Sequence, residues 1–229
     1  MSELILDAVR IEREGRSVVR DVNLVARSGE VTLLLGSNGA GKTTLLEGVS
    51  GVIPIAGGTV ALDGAQLNRL SVFRRTRLGL AHVQEGRSVF GPLTVEENLR
   101  VTGGASDIAR AYDLFPELVE KRTTPAAQLS GGQQQMLVIA RALAQRPAVL
   151  MIDELSLGLA PKLVTRLLKA VRSLADDGLA IILVEQYAHL ALTYGDRAYL
   201  FARGSVAHEL SCAELIDQPD LLRAVYLDT

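Results

Sequence analysis

Gly36-Ser37-Asn38-Gly39-Ala40-Gly41-Lys42-Thr43-Thr44 follows the apolar run Val31-Thr32-Leu33-Leu34-Leu35 and leads into Leu45-Leu46-Glu47. The stretch satisfies G-x-x-x-x-G-K-[ST], with a strand pattern before it and a helix pattern after it, the context that gives the motif physical meaning. Glycines let backbone N–H groups approach phosphate oxygens with no side chain between, and a new helix directs its positive end to the same point. On this reading Gly36, Ser37, Asn38, Gly39, Ala40, Gly41 and Thr44 form a phosphate cradle. Lys42 bridges the β- and γ-phosphates, and the Thr43 hydroxyl ligates Mg²⁺. A glycine-rich strand-to-helix turn that holds nothing is the competing reading.

The 229 residues, 48% of them hydrophobic, suffice for one α/β domain or one domain carrying an inserted subdomain. A net charge of -2 and a pI of about 6.0 provide no overall basic field to draw the chain onto nucleic acid or anionic lipid. Arg69, Arg74, Arg75 and Arg77 form a short basic cluster, expected to be a solvated helix face. The single cysteine, Cys212, cannot form an intramolecular disulfide, and no Cys/His spacing suggests zinc, so a reducing compartment is expected. Met1-Ser2-Glu3-Leu4 soon meets Asp7 and Arg10, so no signal peptide is expected. No run of about 18 uncharged apolar residues is available to span a bilayer. If the protein acts at a membrane, another chain must supply the membrane part.

Residues 4–11 and 18–25 alternate apolar and polar positions and predict two half-buried antiparallel strands joined at Arg13-Glu14-Gly15-Arg16. Residues 31–35 are apolar throughout, as in a strand covered on both faces. Short strands are expected at 59–62 and 78–83. From about 86 to 146 amphipathic helical segments replace strands, and Thr94 with Glu97 three residues on predicts a capping box. This block reads as a helical subdomain inserted into the sheet domain. Residues 148–152 and 179–184 are two further apolar strands separated by a helix over 161–175, a pattern for a parallel sheet. A hairpin around 202–205 and two short helices after Ser211 and Pro219 complete the chain.

Val149-Leu150-Met151-Ile152-Asp153-Glu154 places two carboxylates at the end of a buried strand. There Asp153 can hold the water shell of Mg²⁺ and Glu154 can orient or deprotonate an attacking water, whereas two solvated acids are the competing reading. Leu129-Ser130-Gly131-Gly132-Gln133-Gln134-Gln135 predicts a second helix start able to bind an anion, with a simple serine cap as its alternative.

Phosphate loop, Leu-Ser-Gly-Gly-Gln and Asp153-Glu154, in that order and separation, resemble the nucleotide-binding domain of ABC-type ATPases over essentially the whole chain. The segments Gly86-Arg87-Ser88-Val89-Phe90, Leu93 to Leu99, Ser156 to Pro161 and Leu183-Val184-Glu185-Gln186 are more narrowly similar to the second ATP-binding subunit of branched-chain amino-acid importers. Importers of urea or amides and lipopolysaccharide-export ATPases are near relatives of that subfamily. The resemblance implies a P-loop NTPase fold of ABC type, a mainly parallel core sheet with an antiparallel β subdomain and an inserted helical subdomain, in one domain spanning 1–229. It implies ATP and Mg²⁺ as cofactors and location at the cytoplasmic face of the membrane. The implied partners are transmembrane permeases, a homodimeric or heterodimeric second ATP-binding subunit and, indirectly, a solute-binding protein. Head-to-tail pairing would bring Ser130, Gly131, Gly132 and Gln133 to the γ-phosphate on the opposing copy. Phe90, Leu93 and Leu99 are candidates for a groove contact with the permease.

Several positions depart from the family pattern. The loop that usually presents an aromatic residue to adenine offers Arg13 and Arg16, with Val18 for apolar contact, which implies weak base discrimination. Counting from Thr94, the magnesium-sensing glutamine position falls on Glu85, with Gln84 adjacent. The switch histidine position falls on Gln186, which can donate to a phosphate oxygen and cannot become cationic; His189 is expected on a helix surface. Leu155 stands where a proline usually follows the catalytic acid. A soluble ABC-type ATPase acting on nucleic acid would keep every phosphate-binding residue, but the missing basic face argues against it.

Overall fold

The computed structural model describes every residue except Arg87, Gln186, Tyr187, Asp228 and Thr229, and the side chains of Val225 and Leu227. In chain order the elements are β1 (Glu3–Arg13), β2 (Arg16–Arg27), β3 (Val31–Leu35), α1 (Lys42–Ser50), β4 (Gly57–Leu62), β5 (Ala65–Gln66), α2 (Val72–Arg77) and β6 (Leu80–Val83). There follow α3 (Val95–Arg100), α4 (Ala105–Leu114), α5 (Gly131–Leu143), β7 (Val149–Asp153), α6 (Pro161–Asp176) and β8 (Ala180–Glu185). The last elements are α7 (Ala188–Leu192), β9 (Arg197–Ala202), β10 (Ser205–Ser211), α8 (Cys212–Ile216) and α9 (Pro219–Leu227).

The strands form two sheets, an antiparallel one ordered β2-β1-β4-β5 and a larger one ordered β10-β9-β3-β8-β7-β6. Within the larger sheet β9, β3, β8, β7 and β6 run parallel, and the β9–β10 hairpin adds one antiparallel edge. Successive side chains of a strand point to opposite faces, so the unbroken apolar runs of β3, β7 and β8 feed two cores at once. Val31, Leu33, Leu35, Leu150, Ile152, Ile181 and Leu183 face the side of α5 and α6. Leu34, Val149, Met151, Ile182 and Val184 face α1 and the antiparallel sheet, meeting Leu45, Leu46 and Val49. The phosphate-loop helix is therefore held between two sheets.

The helical block is not a separate core. Val95, Leu99, Phe115 and Leu118 join the same buried cluster as the sheet residues and the α5 residues Leu137 and Ile139. Leu99, a candidate for permease contact, is thus fully buried, because α3 needs an apolar face to hold it on α5; Phe90 is exposed and stacks under Arg141 at 4.6 Å. The predicted capping box of α3 forms, with the Glu97 N–H donating to Thr94 Oγ1 and the Thr94 N–H to Glu97 Oε2 at 2.8 Å.

Arg75 departs from the solvated basic face expected of it. Its guanidinium is buried and donates to the Gly48 and Val49 carbonyls, each at 2.7 Å, and to the Leu70 and Asn68 carbonyls at 3.0 and 3.2 Å. The last carbonyls of a helix have no partner within it, and Arg75 satisfies two of them at the end of α1. The other three arginines of the cluster are exposed.

Candidate functional site

Parallel α/β sheets present ligand-binding crevices at the carboxyl ends of their strands. Four strand ends meet here: Gly36 follows β3, Glu85 follows β6, Glu154 follows β7, and Glu185 closes β8. Between them lies a cleft of about 480 Å³ lined by Gly39, Gly41, Lys42, Thr43, Glu85 and Glu154 among others, with Val18 on its rim. The loop can take this path only with glycine at two points. A Cβ on Gly36 would lie 2.1 Å from the Phe201 carbonyl oxygen, and Gly41, the residue before α1, has φ +106°.

Lys42 is nearly buried, and its Nζ donates to the Gly36 and Ser37 carbonyls at 2.7 and 2.8 Å. Desolvation lowers its pKa, while the negative charges of Glu154 and Asp153 act in the opposite direction. Asp153 is 1% exposed, and neither of its carboxylate oxygens has a hydrogen-bond donor in good geometry. Burial, ahead of every other cause, pushes its pKa up to about 6; the nearby Thr43 hydroxyl opposes the rise, and Glu154 and Glu85 add to it. A buried carboxylate with unsatisfied oxygens beside a threonine hydroxyl fits a hard cation with oxygen ligands. The charge count agrees, since among the described residues Lys42 is the only cation lining the cleft, against Glu85 and Glu154. A polyphosphate entering there requires further positive charge.

Glu154 adopts φ +51°, the left-handed region that non-glycine side chains rarely enter, and its N–H donates to the Val184 carbonyl at 3.1 Å. Such local strain is common where a side chain is aimed for chemistry. Glu85 lines the cleft and Gln84, though exposed, does not. Arg13 forms an ion pair with Glu47 of α1, which draws its guanidinium away from the cleft rim where Val18 sits. Gln186 lies outside the described residues, and His189 is exposed on α7.

The second predicted anion site stands apart from this cleft. Ser130 caps α5: its Oγ accepts from the Gln133 N–H at 3.4 Å, and its N–H donates to Gln133 Oε1 at 3.0 Å. A Cβ on Gly132 would come within 1.8 Å of Leu163 Cδ2, so close helix packing also calls for glycine there. None of Ser130, Gly131, Gly132 and Gln133 lines the phosphate-loop cleft of the same chain.

Two residues of the site were not singled out from the sequence. Glu185, 1% exposed at the end of β8, accepts from the Ser156 N–H at 3.1 Å and, through a short bond, from the Ser156 hydroxyl. Tyr226 of α9 lies against the Gly36 backbone and the Glu185 charge; burial raises its pKa most, the Gly36 contact lowers it, and Glu185 raises it. The purely apolar run of β8 ending in a carboxylate was the available signal for Glu185. Nothing local marks Tyr226.

The family model for ABC transporters matches residues 19–156, a stretch that includes the phosphate loop, Ser130 and Glu154. The high-affinity branched-chain amino acid transport ATP-binding protein BraG of Pseudomonas aeruginosa is 39% identical, covering 91% of this chain and 92% of its own length. The lipopolysaccharide export system ATP-binding protein LptB of Escherichia coli is 32% identical, with 93% and 92% covered. Among solved structures, the ADP conformation of an ATP-binding cassette of an ABC transporter superposes with a TM-score of 0.88 over all of both chains at 22% identity, a likeness of fold. No helix among the described residues is long and apolar enough to cross a membrane. These similarities place the chain in the ABC transporter family, as a nucleotide-binding, ATP-hydrolysing subunit.

Proposed function

We propose that this cleft binds ATP with Mg²⁺ and that the chain powers an importer of branched-chain or related amino acids from the cytoplasmic face of the membrane. The observation that carries the catalytic half is the buried, unsatisfied Asp153 carboxylate set beside Thr43, Lys42 and the strained Glu154 at the strand ends. Lys42 exchanges its two carbonyl acceptors for oxygens of the β- and γ-phosphates, and the N–H groups at the start of α1 hold the same phosphates. Thr43 and Asp153 hold Mg²⁺, which supplies charge neutralisation on the phosphates when bound. Glu85 stands at the edge of that shell, as does Gln84 if the segment slips by one residue. Glu154 orients the attacking water and accepts its proton, and Gln186 donates to the γ-phosphate. Val18 contacts the base, and Arg13 does so once it is released from Glu47.

The Ser130-led start of α5 acts on a second ATP-binding chain, the same or a different one, by closing over its γ-phosphate. The separation of Ser130 from the cleft of its own chain supports this reading. The helical block, with exposed Phe90, is the docking element for the permease subunits, and residues 86–146 work as one subdomain for that purpose. The higher identity to a branched-chain amino acid transport protein than to a lipopolysaccharide export protein supports the choice of cargo.

Disruption of the gene in its source cell tests the cargo. Loss of labelled leucine, isoleucine and valine uptake is the expected result. Unchanged uptake with loss of lipopolysaccharide from the cell surface would overturn the importer reading in favour of lipid export.

A further inference from the structure

The turn after β7 is bolted to the end of β8 on both sides of one buried residue. Before Leu155, the Glu154 N–H donates to the Val184 carbonyl at 3.1 Å; after it, the Ser156 N–H and hydroxyl both donate to the Glu185 carboxylate. Leu155 itself is 1% exposed and Ser156 3%. Glu185 lies opposite Leu35 in the parallel register of β3 and β8, level with the point where the phosphate loop begins. A carboxylate in so buried a place carries a desolvation cost that an apolar pair of equal volume would avoid. What it provides is two-point capture of a single residue, which removes the backbone and side-chain freedom of Ser156 two positions beyond the strained Glu154.

We propose that Glu185 and Ser156 are a positioning pair that holds the Glu154 carboxylate in its working direction, so that they set the rate of water attack and leave nucleotide affinity untouched. The proposal rests on Glu154 being the group that activates water. Neither residue lines the cleft; the pair acts through the left-handed turn at Glu154, whose strain would relax once the turn came loose from β8.

Single-turnover cleavage of ATP with Mg²⁺ by the full chain, read beside ATP Kd, tests it. Ser156→Ala removes one of the two bonds and should slow cleavage about 10-fold, whereas Glu185→Ala, which removes both, should slow it by up to about 100-fold. Both variants should keep ATP Kd within about twofold, since neither residue touches the cradle. Ser156→Thr, which keeps the hydroxyl, should recover the parent rate. Amide exchange over 154–160 should quicken in Ser156→Ala and not in Ser156→Thr. In a Glu154→Gln background Ser156→Ala should produce no further slowing, because both act through one group.

Parental cleavage by Ser156→Ala beside a slow Glu154→Gln would overturn the positioning role while sparing the role of Glu154. Parental cleavage by Glu154→Gln would overturn both. Equal losses of rate and affinity in Ser156→Ala would show a merely structural bond. The Ser156→Ala and Ser156→Thr pair decides the matter even if Glu185→Ala does not fold.

Discussion

The two glycine-marked helix starts, at Gly41 and at Ser130, read alike in sequence and are unlike in the folded chain. At the first, α1 opens from a left-handed glycine with no side chain capping its N–H groups, beside a buried lysine and a carboxylate with no well-placed donor among the described residues. At the second, Ser130 and Gln133 satisfy each other reciprocally, and Gly132 is filled by Leu163. The cap engages the Ser130 and Gln133 N–H groups and turns the start of α5 away from the cleft of its own chain. One end is an unfinished polar environment that a ligand completes, and the other is a finished surface that acts only by being presented to something else.

The largest expected effect lies at the first start. Lys42→Ala removes the lysine that lines the cleft, and ATP Kd should rise at least about 100-fold, or about 3 kcal/mol. An unchanged Kd in a titration would erase the contrast between the two starts.

Next comes Asp153, whose folded pKa of about 6 lies above its ordinary value of 3.8. The folded protein then binds more protons than the unfolded chain between those values, so stability without Mg²⁺ falls as pH rises from 4 to 6 and levels off above. The loss should approach about 3 kcal/mol, and Asp153→Asn should abolish it. Urea unfolding in EDTA at pH 4.5 and 7.5 reads the difference, and Mg²⁺ should stabilise the parent more at pH 7.5 than at 4.5. A flat profile would mean that the carboxylate is already satisfied.

At the second start the effects are smaller and of another kind. Gly132→Ala forces Leu163 aside and should cost about 1–3 kcal/mol of stability. Ser130→Ala loses an N-cap worth about 1 kcal/mol. Neither should alter ATP Kd in dilute solution, where one chain acts alone, and Ser130→Ala should slow turnover only at concentrations where two chains meet. A Kd shift in dilute Ser130→Ala would place that helix start at its own chain's nucleotide.

Much of this was legible because it is local. The period-two strands, the unbroken apolar runs of β3, β7 and β8, the phosphate loop and the capping box at Thr94 are short-range patterns that the fold keeps. Arg75 was misjudged because its carbonyl partners at Gly48 and Val49 lie 27 and 26 residues away. The packing demand on Gly132 was not legible because Leu163 reaches it from another helix. Glu185 and Tyr226 escaped notice for the same reason, since only the strand order brings β8 and α9 to the phosphate loop.

The account turns on Glu154 at the end of β7. Single-turnover cleavage by Glu154→Gln, with ATP binding measured on the same preparation, tests it most directly. The account predicts an ATP Kd within about twofold of the parent and γ-phosphate cleavage slower by about 10²–10⁴-fold, the usual contribution of a positioned general base. Cleavage at the parental rate would contradict it.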